Sequence, residues 1–267
     1  MNTLIILGSG TSTGIPMANG DWGKCDPQNP KNSRLRTSIF LKTKNGSHII
    51  VDTGPDMRTQ CLKNNIEKIN AAIITHDHAD HLHGLDDLRP FCFGPPLKSI
   101  PLYTSKTSYE LLETRFPYVF NPRPNASQIG GGIPLLELKS VELDKKTKVD
   151  QDDFEFFQLP HGPGQTMGII HEKMAYIIDC HEIPKDRLEY LAKAKLEILL
   201  LDCVTNAPHK THLWLERSLE YAHKIKAKNT YLIHMGNKLD HKELETVCKE
   251  QAPLSVTPAF DGLTLSY

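Results

Sequence analysis

The densest chemistry in this 267-residue chain lies in one stretch, Thr75-His76-Asp77-His78-Ala79-Asp80-His81. Three imidazoles and two carboxylates follow directly on the apolar run Ala71-Ala72-Ile73-Ile74. Imidazole nitrogens suit zinc and other late first-row metals, and a carboxylate also admits manganese or iron. Four ligand-type residues, His76, His78, Asp80 and His81, are more than one tetrahedral catalytic metal draws from a single loop. The spacing therefore predicts two adjacent divalent ions, each needing ligands from elsewhere. Asp77 is left over, in a supporting electrostatic role.

Three further ligand-type residues stand just past strand-like apolar runs. His161 follows residues 153–159, Asp179 follows Ala175-Tyr176-Ile177-Ile178, and His234 follows Thr230-Tyr231-Leu232-Ile233. Asp52 ends another such run, 47–52, and is not needed as a ligand. It fits the role of orienting a coordinated histidine through the ring nitrogen that faces away from the metal. Two cations about 3.5–4 Å apart can share a hydroxide of lowered pKa and neutralise phosphoryl charge in the transition state.

Taken together, His76-x-His78-x-Asp80-His81, His161, Asp179, His234 and Asp52 closely resemble the metallo-β-lactamase fold hydrolases, over essentially the whole chain. Four further segments look like the branch containing phosphoribosyl 1,2-cyclic phosphate phosphodiesterase and, further off, ribonuclease Z. They are Gly8-Ser9-Gly10-Thr11-Ser12, Arg34-Leu35-Arg36-Thr37-Ser38, His209-Lys210-Thr211-His212 and Pro258-Ala259-Phe260-Asp261-Gly262. The resemblance implies that His76, His78 and His161 hold one metal and that Asp80, His81 and His234 hold the other. Asp179 would bridge both, and a histidine in the 209–212 segment would act as general acid. We assign that role to His212, and Asp80 and His212 are the residues expected to carry catalysis. A helix over 212–226 would place His212 at its N-terminus, with Thr211 as N-cap.

Arg34, Arg36 and His209 are candidate substrate contacts, the arginines through bidentate bonds to a phosphate or, instead, paired with surface carboxylates. His83 and His241 fall just outside the pattern. Many members of the resembled family carry an extra structural zinc on three clustered cysteines and a later histidine. This chain has only Cys25 in that loop and Asn237 where the histidine would stand. The expected complement is thus two metal ions, zinc or manganese, and no third. Trp22 packing and Asn and Asp turn bonds would hold the loop.

The elements that must position these residues read as alternating strands and helices in both halves. Strands are expected at 3–7, 36–43, 47–52, 71–74, 100–103, 135–143, 153–159, 167–171, 174–179, 197–202, 230–233 and 262–266. Asn45-Gly46 marks a hairpin turn. Helices are expected at 56–65, from 82, and at 106–115, 184–194, 212–226 and 241–249. Such a pattern predicts an α/β fold, two stacked sheets with helices outside, as a four-layer αββα sandwich. A single domain over 1–267 is expected, with an irregular Pro-rich insertion at about 90–134. Its aromatic arm, 116–124, would cover the site or meet a second subunit in a homodimer.

The net charge of −1 gives no global attraction to nucleic acid, and nothing resembles a basic, glycine-rich RNA-binding arm. An RNA-processing nuclease is therefore disfavoured, and no stable nucleic acid partner is expected. No apolar run reaches membrane-spanning length, and the six scattered cysteines read as reduced thiols, so a cytoplasmic protein is expected. The leading reading is a dinuclear metal phosphodiesterase acting on a small or cyclic phosphodiester, such as a nucleotide or sugar phosphate. Hydrolysis of a thioester, ester or lactam on the same centre is the alternative. A non-catalytic metal-binding module is the remaining one.

Overall fold

The computed structural model describes residues 1–121, 132–251 and 255–267. Among the described residues, fourteen strands form two seven-stranded sheets. The first sheet holds β1 (Thr3–Gly8), β2 (Ser38–Lys42), β3 (His48–Val51), β4 (Ala71–Ile73), β5 (Ile100–Thr104), β6 (Leu136–Ser140) and β14 (Thr264–Ser266). Its order is β14-β1-β2-β3-β4-β5-β6, antiparallel through β3 and parallel from β3 onward. The second holds β7 (Lys146–Val149), β8 (Asp152–His161), β9 (Gly164–His171), β10 (Met174–Ile177), β11 (Ile198–Asp202), β12 (Asn229–Ile233) and β13 (Val256–Pro258). There β13-β12-β11-β10 run parallel and β10-β9-β8-β7 antiparallel.

Side-chain alternation explains the layering. In β10, Met174 and Tyr176 enter the core between the sheets, while Ala175 and Ile177 face the opposite way. In β1, Leu4 and Ile6 join the same inter-sheet core, and Ile5 and Leu7 turn outward. Strands apolar on both faces need cover on both, and helices supply it. Over the first sheet lie α1 (Met57–Lys63) and α3 (Lys106–Arg115), which contribute Met57, Cys61 and Leu112. Over the second lie α5 (Lys185–Lys193), α6 (Leu215–Ile225) and α7 (His241–Gln251), which contribute Leu191, Tyr221, Ala222, Ile225, Leu244 and Cys248. The result is the expected four-layer αββα sandwich.

Three local expectations change. The short helix α2 (Ala79–Leu82) begins inside the histidine motif rather than after it, so Asp80 and His81 lie on helical backbone. A 3-10 stretch, Leu85–Cys92, follows. Helix α6 starts at Leu215 with Trp214 as its cap, so His212 precedes the helix and Thr211 does not cap it. A bridge between Thr205 and Trp214 carries the chain past the expected start. In the aromatic arm, α4 (Pro117–Phe120) is a single turn, and residues 122–124 lie outside the described residues. No helix among the described residues is long and apolar enough to cross a membrane.

Candidate metal centre

The candidate residues gather where strands of both sheets end. His161 closes β8 and Asp202 closes β11; Asp179 and His234 come just after β10 and β12. Asp52 follows β3, and the histidine motif follows β4. Three of these residues have left-handed backbone: Asp52 at φ 64°, Asp179 at φ 50° and His234 at φ 62°. Asp and His tolerate that region better than most residues, yet holding it takes about 1–3 kcal/mol from the surrounding structure. The turn aims each side chain off its sheet and into a common focus.

The two loops of the first sheet are pressed together. Thr53 N–H donates to the His81 carbonyl and Gly84 N–H to the Thr53 carbonyl, both at 2.7 Å. A Cβ at Gly54 would lie 2.0 Å from the Asp80 carbonyl oxygen, and one at Gly84 2.0 Å from that of Gly54. Glycine is required at both places for the approach.

At the focus, His76 Nε2 lies 3.3 Å and His81 Nε2 3.1 Å from Asp179 Oδ2. His234 Nε2 is 3.2 Å from Asp179 Oδ1 and 3.7 Å from Asp80 Oδ2, and His81 Nε2 is 3.0 Å from Asp80 Oδ2. His161 Nε2 faces His78 Nδ1 at 3.2 Å. Ligand atoms of His76, His78, His161 and Asp179 form one group within 4.8 Å, and those of Asp80, His81, Asp179 and His234 form a second. Asp179 belongs to both.

The nitrogens of His76, His81 and His161 that turn away from the focus are hydrogen-bonded, and that of His234 faces a carboxylate at ion-pair distance. His81 Nδ1 pairs with Asp52 Oδ2 at 2.9 Å, and Asp52 also accepts from the Thr75 N–H and hydroxyl. His161 Nδ1 donates to the Thr211 carbonyl at 3.0 Å. His76 Nδ1 meets the Thr75 and Thr166 hydroxyls at 3.1 and 3.4 Å. His234 Nδ1 lies 3.2 Å from Asp202 Oδ1. Such partners fix ring orientation and leave Nε2 as the free lone pair.

These side chains fit metal ions. The Nε2 atoms of His76, His81 and His234 and Oδ1 of Asp179 are buried without hydrogen-bond partners, as are Nδ1 of His234 and of His212 and Oδ1 of Asp202 between them. Acceptors thus face acceptors in the interior, an arrangement that only a proton or a cation relieves. Burial opposes charge on His81 and His234, but the surrounding carboxylates outweigh it. Asp179, Asp52 and Asp80 push His81 well up, and Asp179 with Asp202 and Asp80 lifts His234 to about 10. Burial likewise works to raise Asp80 and Asp179, yet His81 and His234 hold both carboxyls well below the usual range. His161 lies where burial dominates, which lowers it to about 4. The field that holds protons on His81 and His234 is the field that favours a divalent cation.

His212 stands at the lip of the cleft with the ligands. Its Nδ1 lies 3.4 Å from Asp202 Oδ2, and its ring stacks on His234 at 5.0 Å between centroids. Asp202 is fully buried, accepts the Leu213 N–H at 3.0 Å and so joins His212 to His234. Sequence reasoning passed over Asp202, although it ends the apolar run Ile198-Leu199-Leu200-Leu201 much as Asp179 follows its own.

The substrate contacts expected for the arginines need correction. Arg34 is 1% exposed and points into the interior, donating to the carbonyls of Leu239 (2.8 Å) and Gly236 (3.4 Å) and to Asn32 Oδ1 (3.3 Å). Arg36 donates to the Ser12 carbonyl and pairs with Asp56 at 3.1 Å, the surface-carboxylate alternative. His209 is exposed on the loop, 5.2 Å from the His212 ring between centroids. The Cys25 thiol lies against the Leu239 carbonyl at 3.5 Å. Asn32 also donates to Asp240 at 2.6 Å. The expected Asn and Asp turn bonds are present at Asn19, Asp21, Asp26 and Asn29, and Arg34 and Asn32 tie the 25–34 loop to the segment after His234.

Comparison with known proteins agrees with this architecture. Residues 47–235 match the model of the beta-lactamase superfamily domain. A solved diphosphatase described as a new member of the PhnP family is 34% identical, with a TM-score of 0.87 over 100% of this chain and 97% of that one. Zinc-bound PqqB from Methylobacterium extorquens is 19% identical, with a TM-score of 0.76 over 99% of this chain and 100% of its own, and shows the fold alone. A curated protein of Porphyromonas gingivalis (strain ATCC BAA-308 / W83), named an octanoyltransferase, is 30% identical over 97% of this chain. The chain spans 50% of that relative's length. With the family match and the geometry in agreement, the chain belongs to the beta-lactamase superfamily, as a metallo-β-lactamase fold hydrolase similar to the PhnP-family diphosphatase.

Proposed function

We propose that the chain is a phosphodiesterase that hydrolyses a small or cyclic phosphodiester at this centre. His76, His78 and His161 would hold one divalent ion and Asp80, His81 and His234 the other, with Asp179 shared. Bound there, zinc or manganese would supply charge neutralisation at the phosphoryl group and a water of lowered pKa. The chain's own residues do the rest. Water attacks phosphorus, one P–O bond forms and the ester P–O bond breaks; the proton the water gives up passes to solvent, and a solvent proton later returns to His212. His212 donates a proton from Nε2 to the departing alkoxide, while the Asp202 carboxylate, 3.4 Å from Nδ1, orients the ring. The buried Asp202 between His212 and His234 is the observation that carries this reading, because it couples a proton donor to the ligand set.

A second reading, hydrolysis of an acyl thioester, is favoured by one observation, the name of the Porphyromonas gingivalis relative. The two separate on bis(p-nitrophenyl) phosphate and octanoyl-thioester substrates in buffers containing zinc or manganese. Cleavage of the phosphodiester, lost in Asp80→Ala and in His212→Ala, supports the phosphodiesterase. Cleavage of the thioester alone, or wild-type phosphodiester rates in Asp80→Ala, would overturn it.

A further inference from the structure

Beside the metal cleft lies an open recess of about 610 Å³, walled by Asp77, His78, Ala79, His83, Arg115 and Phe116. It shares Asp77 and His78 with the cleft, so the two openings adjoin. Its size falls within the roughly 300–1,000 Å³ of small-molecule sites.

The chemistry of the wall selects among occupants. Arg115 Nη2 pairs with Asp77 Oδ2 at 2.7 Å, and Nη1 donates to the Asp77 carbonyl. The guanidinium is thereby pinned and its charge matched by a carboxylate, so a second phosphate entering here would meet Asp77 as well as Arg115. What remains on offer is flat surface. The rings of His83 and Phe116 stand edge to face, 6.0 Å between centroids, in the same wall as Arg115. An aliphatic chain has a better host in a neighbouring recess of about 530 Å³, whose floor includes Leu111, Val141, Leu143 and Met167.

We propose that the His83–Arg115–Phe116 recess is the subsite for a planar heteroaromatic ring carried by the phosphoryl substrate, which makes the substrate a nucleoside phosphodiester. This deepens the phosphodiesterase reading and rests on it. Stacking on a ring and a guanidinium is tolerant of base identity, and the Asp77 carboxylate accepts from an exocyclic amine or ring N–H.

Two chromogenic esters with the same leaving group test the proposal on the manganese-loaded protein: thymidine 5′-p-nitrophenyl phosphate and methyl p-nitrophenyl phosphate. Wild type is expected to prefer the thymidine ester in kcat/KM by about tenfold or more, the scale of one stacked base. Phe116→Ala reduces that preference about tenfold through KM, and Phe116→Trp retains it. Because Phe116 also packs against the helical layer of the first sheet, the exposed Arg115→Ala serves as a second variant with the same expected direction. A wild type without preference, or a preference unchanged in both variants, overturns the subsite. No cleavage of either ester defeats the phosphodiesterase reading instead. The recess is then read with adenosine, which has no phosphoryl group. NMR saturation transfer from protein to its base protons, lost in Phe116→Ala, upholds the subsite, and absence of transfer in wild type overturns it.

Discussion

Strand β8 joins two buried clusters of histidine and aspartate that could hardly be treated more differently. Its last residue, His161, enters the metal-type cluster; its first, Asp152, sits about 30 Å away by strand geometry. There Asp152 accepts from Thr43 at 2.7 Å and Asn45 at 2.8 Å and lies 3.5 Å from His171 Nε2, whose Nδ1 meets the Tyr267 hydroxyl at 2.7 Å. Burial would raise the Asp152 carboxyl, but hydrogen bonds from Ser47, Thr43 and Asn45 outweigh it and hold it low. That carboxylate and His171 Nδ1 have hydrogen-bond partners within the chain. At the other end, Nε2 of His76, His81 and His234 has none, and three residues hold left-handed backbone to bring the groups together. Equal burial of the same residue types thus serves cohesion in one place and ligand demand in the other.

Substitutions at the two ends should part activity from stability. Asp179→Ala removes the shared carboxylate and is expected to lower kcat/KM by about a thousandfold or more, the scale of losing several kcal/mol of transition-state stabilisation. Its metal-free form should melt within a few degrees of wild type, since the left-handed strain relieved there offsets the pairing with His81 and His234 that is lost. Phosphodiester kinetics and calorimetry check both halves, and a destabilised, active variant would erase the contrast. His212→Ala should cost about 10²–10⁴ in kcat with a smaller change in KM, and Asp202→Asn should act in the same direction. An Asp202→Asn variant with wild-type kcat would remove Asp202 from the proton-donating unit.

Asp152→Ala should do the reverse, keeping turnover within about twofold while losing roughly 3 kcal/mol in urea unfolding, as buried donors are stranded. Arg34→Met belongs with it. Several interior acceptors lose their donor, at about 1–3 kcal/mol, and the tether on the segment after His234 is cut. Weaker metal retention in that variant would show that the tether positions His234. The smallest expected effect concerns pH. Burial depresses the His171 pKa below its ordinary value of 6.5, with Asp152 opposing. Its neutral form therefore contributes fully above about pH 6.5, and that contribution is lost as pH falls toward the folded pKa. The urea midpoint should drop between pH 7.5 and 5.5, and less so in His171→Gln.

How much of this was legible depended on how local each signal was. The 76–81 motif is contiguous, and His161, Asp179 and His234 stand where apolar runs stop, so chain order alone brought them forward. The two-sided apolar strands likewise announced buried sheets. Asp202 was passed over although Asp52 and Asp179 also end their expected strands, because what marks it, its approach to His212 and His234, is tertiary. Arg34 misled because a charged residue in a polar loop reads as surface, and its acceptors, Gly236 and Leu239, lie some two hundred positions away. The onset of α6 was misplaced because Thr211 has N-cap chemistry, while the Thr205–Trp214 bridge that delays the helix is a tertiary contact. Edge strands β7 and β13 escaped because they are short, with Lys and Pro diluting their pattern.

The central claim is that the unsatisfied cluster holds two divalent cations and the satisfied regions hold none. Elemental analysis of the purified protein, after chelation and reloading with zinc or manganese, tests it most directly. The account predicts about two ions per chain, falling in Asp179→Ala and unchanged in Asp152→Ala. A single ion in wild type would contradict the division of ligands around Asp179. About three would contradict the assignment of the Cys25–Arg34 loop to hydrogen bonds alone.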